Sequence, residues 1–112
     1  MTRVAVTGAT GYIGQELANV LASWPRIETV LRIDRVFDQS HPDMLQVDLS
    51  NGSVEDVSSA LEGVDTVFHL AAARTDWGLS STEYFRDNVE ATRTIIEAVQ
   101  RAGVRRLVHF ST

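Results

Sequence analysis

The chain has 112 residues, a formal net charge of −5 and no cysteine. That length is one domain with a single core. The acidic balance excludes the basic surface that nucleic-acid binding needs, the missing cysteines exclude a disulfide framework and a thiolate metal site, and no apolar run is long enough for a signal peptide or a membrane span. The expectation is a cytoplasmic protein with no metal, no nucleic-acid partner and no membrane partner. All ten basic residues are arginine, so any mechanism that needs a lysine from this chain is also excluded.

Arg3 to Thr7 is apolar and reads as a first strand. Thr7-Gly-Ala-Thr-Gly-Tyr-Ile-Gly14 follows at once. A glycine-rich turn between a buried strand and a helix gathers bare backbone N–H groups at the positive end of a helix dipole, which is a site for a diphosphate. Gly8 lets the chain turn off the strand, Gly11 leaves room for a pyrophosphate at the backbone, and Gly14 lets the helix pack close. The spacing is G-x-x-G-x-x-G rather than the commoner G-x-G-x-x-G. Tyr12 to about Trp24 is a helix with Ile13, Leu17, Val20 and Leu21 on one face, ended by Pro25.

Ile27 to Ile33 is a second strand, and Asp34 stands at its carboxyl end. A carboxylate there accepts both hydroxyls of an adenosine ribose and repels a 2′-phosphate. Two charges about 4 Å apart interact by about 4 kcal/mol at an effective dielectric of 20. Asp34 therefore favours NAD over NADP, while the neighbouring Arg35 could pair with a 2′-phosphate. Asp34 also fits a plain turn residue.

Phe37 to Met44 is a polar loop, and Leu45 to Leu49 a short third strand. Ser53 caps a helix that runs to Leu61, with Asp56 in the capping-box position. Thr66 to Leu70 is a fourth strand that runs into Ala71-Ala72-Ala73, with Arg74 to Leu79 as a loop. Ser80 to Ala102 is the longest helix, stopped by Gly103, and Arg106 to Phe110 is a fifth strand. This alternation means an α/β fold: a Rossmann-type parallel sheet of order 3-2-1-4-5 with helices on both faces, in three layers. The strand order reverses beside the first strand, and a crevice opens there at the carboxyl ends. The glycine turn, Asp34, Asp48 and the segment from Ala71 to Arg74 all fall at that edge.

These residues resemble the extended short-chain dehydrogenase/reductase family, which includes NAD-dependent epimerases and dehydratases. The resemblance rests on the glycine turn, Val47-Asp48-Leu49, Val67-Phe-His-Leu-Ala-Ala-Ala73, and Asn88-Val-Glu-Ala-Thr92 through Leu107-Val-His-Phe-Ser-Thr112. It implies that Tyr12 and Ile13 present backbone N–H groups to the diphosphate. Asp48 would accept from the adenine amino group, with Leu49 against the ring. Leu70, Ala71 and Ala72 would line the groove under the cofactor. Arg74 would lie near the nicotinamide-side ribose, Asn88 would brace the long helix, and Thr112 would stand where the family has a catalytic Ser or Thr. Simpler readings stay open: Asp48 as a turn residue, the alanines as packing, Arg74 as a solvated loop residue, and His69 as a packed core histidine.

The family transfers a proton with a tyrosine four residues before a lysine, whose ammonium lowers the tyrosine pKa. Here Tyr12 is followed at that spacing by Glu16 and Tyr84 by Asn88. The expected chain is thus an NAD(P)-binding domain over 1–112 from a longer, truncated epimerase or dehydratase, inactive by itself. A small-molecule substrate belongs to the longer chain, and the helix over 80–102 can pair with a second copy. The alternative is a non-catalytic dinucleotide-binding sensor or regulator.

Overall fold

The computed structural model describes residues 2–71 and 80–110. Among them the elements are β1 (Thr2–Thr7), α1 (Tyr12–Ala22), β2 (Ile27–Asp34), β3 (Leu45–Gln46), α2 (Val54–Ala60), β4 (Thr66–His69), α3 (Ser81–Ala102) and β5 (Arg106–His109). The strands form one parallel sheet of order β3-β2-β1-β4-β5, as the sequence predicts. Strand alternation sorts the core to both faces of it. Val4 and Val6 of β1 face α1 and pack with Ala9, Ala18 and Leu21. Ala5 and Ile33 face the other way and pack with Val57 and Leu61 from the α2 segment and Ala91, Ile95 and Ala98 from α3.

The helix ends follow their capping residues. Ser53 accepts from the Asp56 N–H at the start of α2, and Ser80 accepts from the Glu83 N–H at the start of α3. Gly103 closes α3 with a φ of 72°, in the left-handed region where a side chain is disfavoured.

Three details differ from the expectation. Helix α1 stops at Ala22, with Ser23 as its cap, ahead of Pro25. Its buried face is Gly14, Ala18 and Leu21, while Ile13 is 62% exposed and Val20 47% exposed. A helix seated on its glycine presents small residues inward and turns the next positions outward. The third strand pairs only at Leu45 and Gln46. The Val47 N–H still bonds to the Asp34 carbonyl, and the chain then leaves the sheet at Asp48.

Candidate cofactor-binding site

The glycine turn is built by steric necessity. Gly8 has a φ of 71°, and a Cβ on it would come within 2.9 Å of the Ala71 nitrogen and the Leu70 carbonyl carbon. A Cβ on Gly14 would collide with the Gly8 carbonyl oxygen. Helix α1 thus docks on the turn itself, and through the turn on the end of β4. Gly11 is the N-cap of α1 and supplies no side-chain cap, unlike Ser53 and Ser80. Its first turn holds no acidic residue. The backbone N–H groups of Tyr12, Ile13 and Gly14 occupy that first turn, where a helix has no internal acceptors for them, so an anion is their natural partner. Tyr12 is 84% exposed, so its side chain leaves the helix end open.

Asp34 is brought against this turn. Its Oδ2 accepts from the Thr10 N–H at 3.0 Å and from the Thr10 hydroxyl at 2.8 Å, and its Oδ1 accepts from the Val36 N–H at 3.2 Å. The carboxylate therefore locks turn and strand end together as well as offering negative charge beside them. Thr10 lies inside the glycine turn, but nothing in its spacing announces the two bonds it makes to Asp34.

Asp48 closes a tight turn. Its Oδ1 accepts from the Ser50 N–H at 3.0 Å and the Ser50 hydroxyl at 2.7 Å. Burial pushes its carboxyl up, but Ser50, the Asn51 side chain and the charge of Arg35 together hold it below the usual range. Asp48 stays ionised near neutrality, and part of the Arg35 field falls on it. Leu49 is 4% exposed and belongs to the core beside Leu61 and Val57.

The floor of the crevice is held from beneath by Thr7. Its hydroxyl accepts from the Leu70 N–H at 3.0 Å and the Ala71 N–H at 3.1 Å. Leu70 and Ala71 are half-buried just beyond β4. Asn88 is half-buried on α3, one turn before Thr92. Ala72, Arg74 and Thr112 lie outside the described residues. Two hollows of about 210 and 280 Å³ lie elsewhere, the first between Ala22, Arg32 and His41 and the second between Arg3, Leu31 and Ala60. Neither is lined by the glycine turn, Asp34 or Asp48, so cavity volume does not locate the chemistry here. No metal-binding cluster and no membrane-spanning helix occur among the described residues.

A parallel sheet with a glycine-bounded, uncapped helix end at its reversal point defines a dinucleotide-binding fold. The model of the NAD dependent epimerase/dehydratase family matches residues 4–112, and the chain belongs to that family. It is 39% identical to a 3-beta-hydroxysteroid dehydrogenase of Mycolicibacterium neoaurum over 98% of this chain and 32% of that protein. It is 36% identical to a dTDP-6-deoxy-L-talose 4-dehydrogenase (NAD(P)(+)) of Kitasatospora kifunensis over 98% of this chain and 35% of that one. A UDP-glucose-4-epimerase from Stenotrophomonas maltophila, solved with bound NAD and formylated UDP-arabinopyranose, is similar with a TM-score of 0.82 and 26% identity, over 100% of this chain and 37% of that one. The chain thus spans about a third of the length of the curated relatives it matches.

Proposed function

We infer that this chain is the NAD-binding portion of an NAD-dependent epimerase, dehydratase or dehydrogenase. The observation that carries the reading is the uncapped first turn of α1, seated on Gly8 and Gly14 and joined through Thr10 to Asp34. The N–H groups of Tyr12, Ile13 and Gly14 would hold the diphosphate. Asp34 would accept from the adenosine ribose and disfavour a 2′-phosphate, so NAD is preferred to NADP. Arg35, next to Asp34 in the chain, could pair with a 2′-phosphate and is the group that opposes that preference. Asp48 would face the adenine amino group, and Leu70, Ala71 and Ala72 would form the floor under the cofactor, with Arg74 at its nicotinamide side and Asn88 bracing α3. Thr112 would take the catalytic Ser or Thr position. When bound, the dinucleotide supplies the carbon that exchanges a hydride with substrate.

The substrate in this reading is a hydroxyl or carbonyl carbon of a nucleotide sugar or a similar compound. It is supported by a relative named for a dTDP-sugar and bounded by another named for a hydroxysteroid. A cytoplasmic location belongs to the same reading, because the dinucleotide pool is intracellular. A homodimer through α3 also belongs to it: Phe85, Val89 and Ile96 are exposed at helical spacing on that helix.

Titration with NAD, followed by calorimetry or by the melting temperature, tests the reading. Saturable binding supports it, and the absence of any shift at millimolar NAD refutes it. A second reading is a non-catalytic dinucleotide sensor. Binding without turnover in the longest natural form of the chain would select it.

A further inference from the structure

Thr7 and His69 stand opposite each other in the β1–β4 register, and both are buried, at 0% and 1% exposure. The Thr7 hydroxyl lies 2.7 Å from His69 Nδ1, and His69 Nε2 lies 3.2 Å from the Thr92 hydroxyl on α3. A hydroxyl has one proton and two lone pairs. The lone pairs of the Thr7 hydroxyl receive the N–H groups of Leu70 and Ala71, the Leu70 N–H being shared with the Thr7 backbone carbonyl at 3.2 Å. Its proton must therefore go to His69 Nδ1, which leaves that nitrogen bare. A neutral ring then carries its proton on Nε2 and donates it to Thr92. The bonds have one consistent direction, from the crevice floor through the buried ring to α3.

We propose that His69 is a positioning residue for the cofactor site: held as the Nε2–H tautomer between Thr7 and Thr92, it fixes the Thr7 hydroxyl and so the seat of the Leu70–Ala71 backbone beneath the glycine turn. This rests on the dinucleotide reading of the crevice. The other ring states conflict with the geometry. A proton on Nδ1 would make a third donor aimed at the Thr7 oxygen, and either the Ala71 N–H would have to release it or the Leu70 N–H would have to fall back on the Thr7 backbone carbonyl alone. Gly8 lies against those same two residues, so the release would reach the turn. The imidazolium conflicts in the same way. Burial, then the neighbouring ring of His109 on β5 with its centroid 5.4 Å away, pushes His69 down to about 4. His109 is the titratable group that faces it, with Thr7 on β1 and Thr92 on α3 as its uncharged neighbours.

Ring-nitrogen NMR at pH 7 reads the tautomer directly. A bare Nδ1 and a protonated Nε2, with or without NAD, are expected; an Nδ1–H tautomer or a rapid mixture of the two overturns the proposal. The second measurement compares two variants. In His69→Asn the side-chain oxygen takes the place of Nδ1 and still accepts from Thr7. In His69→Gln the amide reaches toward Thr92 and leaves Thr7 without an acceptor. Both should melt at similarly reduced temperatures, yet His69→Asn should keep its NAD dissociation constant within about threefold while His69→Gln weakens it about tenfold or more. Equal losses, or affinity that tracks melting temperature alone, overturn the proposal. Should neither variant fold, Thr92→Ser and Thr92→Val replace them, with NAD affinity kept in the first and lost about tenfold in the second; equal affinity in that pair overturns the proposal as well. Wild-type protein that ignores NAD would refute the dinucleotide reading, and the ring tautomer would still decide the direction of the bond chain.

Discussion

Acidification from pH 7 to pH 4 should remove about 3 kcal/mol of stability through His69 alone. The ring is buried without a counter-charge, so burial first and His109 second hold its folded pKa at about 4 against an ordinary 6.5. Between those values the unfolded chain binds the proton and the folded chain does not. Stability is therefore fully present above about pH 6.5, falls as pH falls through the window, and loses nothing more from this ring below about pH 4. The gap of about 2.5 units, at about 1.36 kcal/mol per unit, gives the figure. Set against a total of about 5–15 kcal/mol for a domain, the loss is large. Urea unfolding of wild type and His69→Asn at pH 7, 5.5 and 4 checks it. Carboxylates titrate alike in both proteins and cancel in the difference. Asp48 in particular keeps its contribution through the window, since its carboxyl is held below the usual range. The stability advantage of wild type should shrink by about 3 kcal/mol toward pH 4. Parallel pH profiles would show that the ring is not a buried neutral base and would refute the reasoning.

Gly14→Ala should cost more than about 3 kcal/mol in a melting or denaturant experiment, because its Cβ meets the Gly8 carbonyl and backbone must move. Gly11→Val should stay within about 1 kcal/mol of wild type, because its φ of −70° suits valine and the nearest atom to a Cβ is the Gly8 oxygen at 3.3 Å. The same variant should lose the stabilisation of about 2.7 kcal/mol that NAD gives at a hundred times its dissociation constant, and an unchanged shift would sink the phosphate-cradle reading. Wild type should bind NAD more tightly than NADP, and Asp34→Ala should narrow that gap while lowering the melting temperature through the lost Thr10 bonds. The chain alone should show neither reduced nicotinamide nor epimerised product with nucleotide sugars and simple alcohols, since it has no lysine to bring a tyrosine toward phenolate at neutral pH; turnover that disappears in Gly11→Val would refute this.

The strand order was legible because parallel strands joined by right-handed crossovers allow few arrangements, and the alternation of elements was unambiguous. The glycine turn and Asp34 were legible because their spacing belongs to the local geometry of one crossover. What escaped was of two kinds. Small residues carry no hydrophobic weight: of the predicted face of α1, Leu21 is buried and Leu17 packs beside the core, but Ile13 and Val20 are exposed and Gly14 and Ala18 make the contact. Polar contacts between distant residues leave no local trace. Thr10 with Asp34 spans 24 positions and Thr7 with His69 spans 62. His69 was correctly read as a packed histidine, but only the strand register shows what it is packed against. Asp48 was legible as a turn residue, and its bonds to Ser50 explain why β3 ends early.

The β1–α1–β2 crossover is pinned at one end and plain at the other. At the carboxyl edge of the sheet, the Gly8–Gly14 contact and the Asp34–Thr10 bonds fix where α1 begins. At the opposite edge α1 ends in an exposed turn held by the Ser23 hydroxyl, which donates to the Val20 carbonyl, and by backbone bonds from Trp24 N–H to the Leu21 carbonyl, from Ile27 N–H to the Trp24 carbonyl and from Thr2 N–H to the Arg26 carbonyl. Residues added between Ser23 and Arg26 should therefore leave the crevice in place, provided that the Arg26 carbonyl keeps its bond to Thr2. Length variation, epitope tags and interdomain fusions belong at that turn, because the fold has made it mechanically remote from its own binding edge.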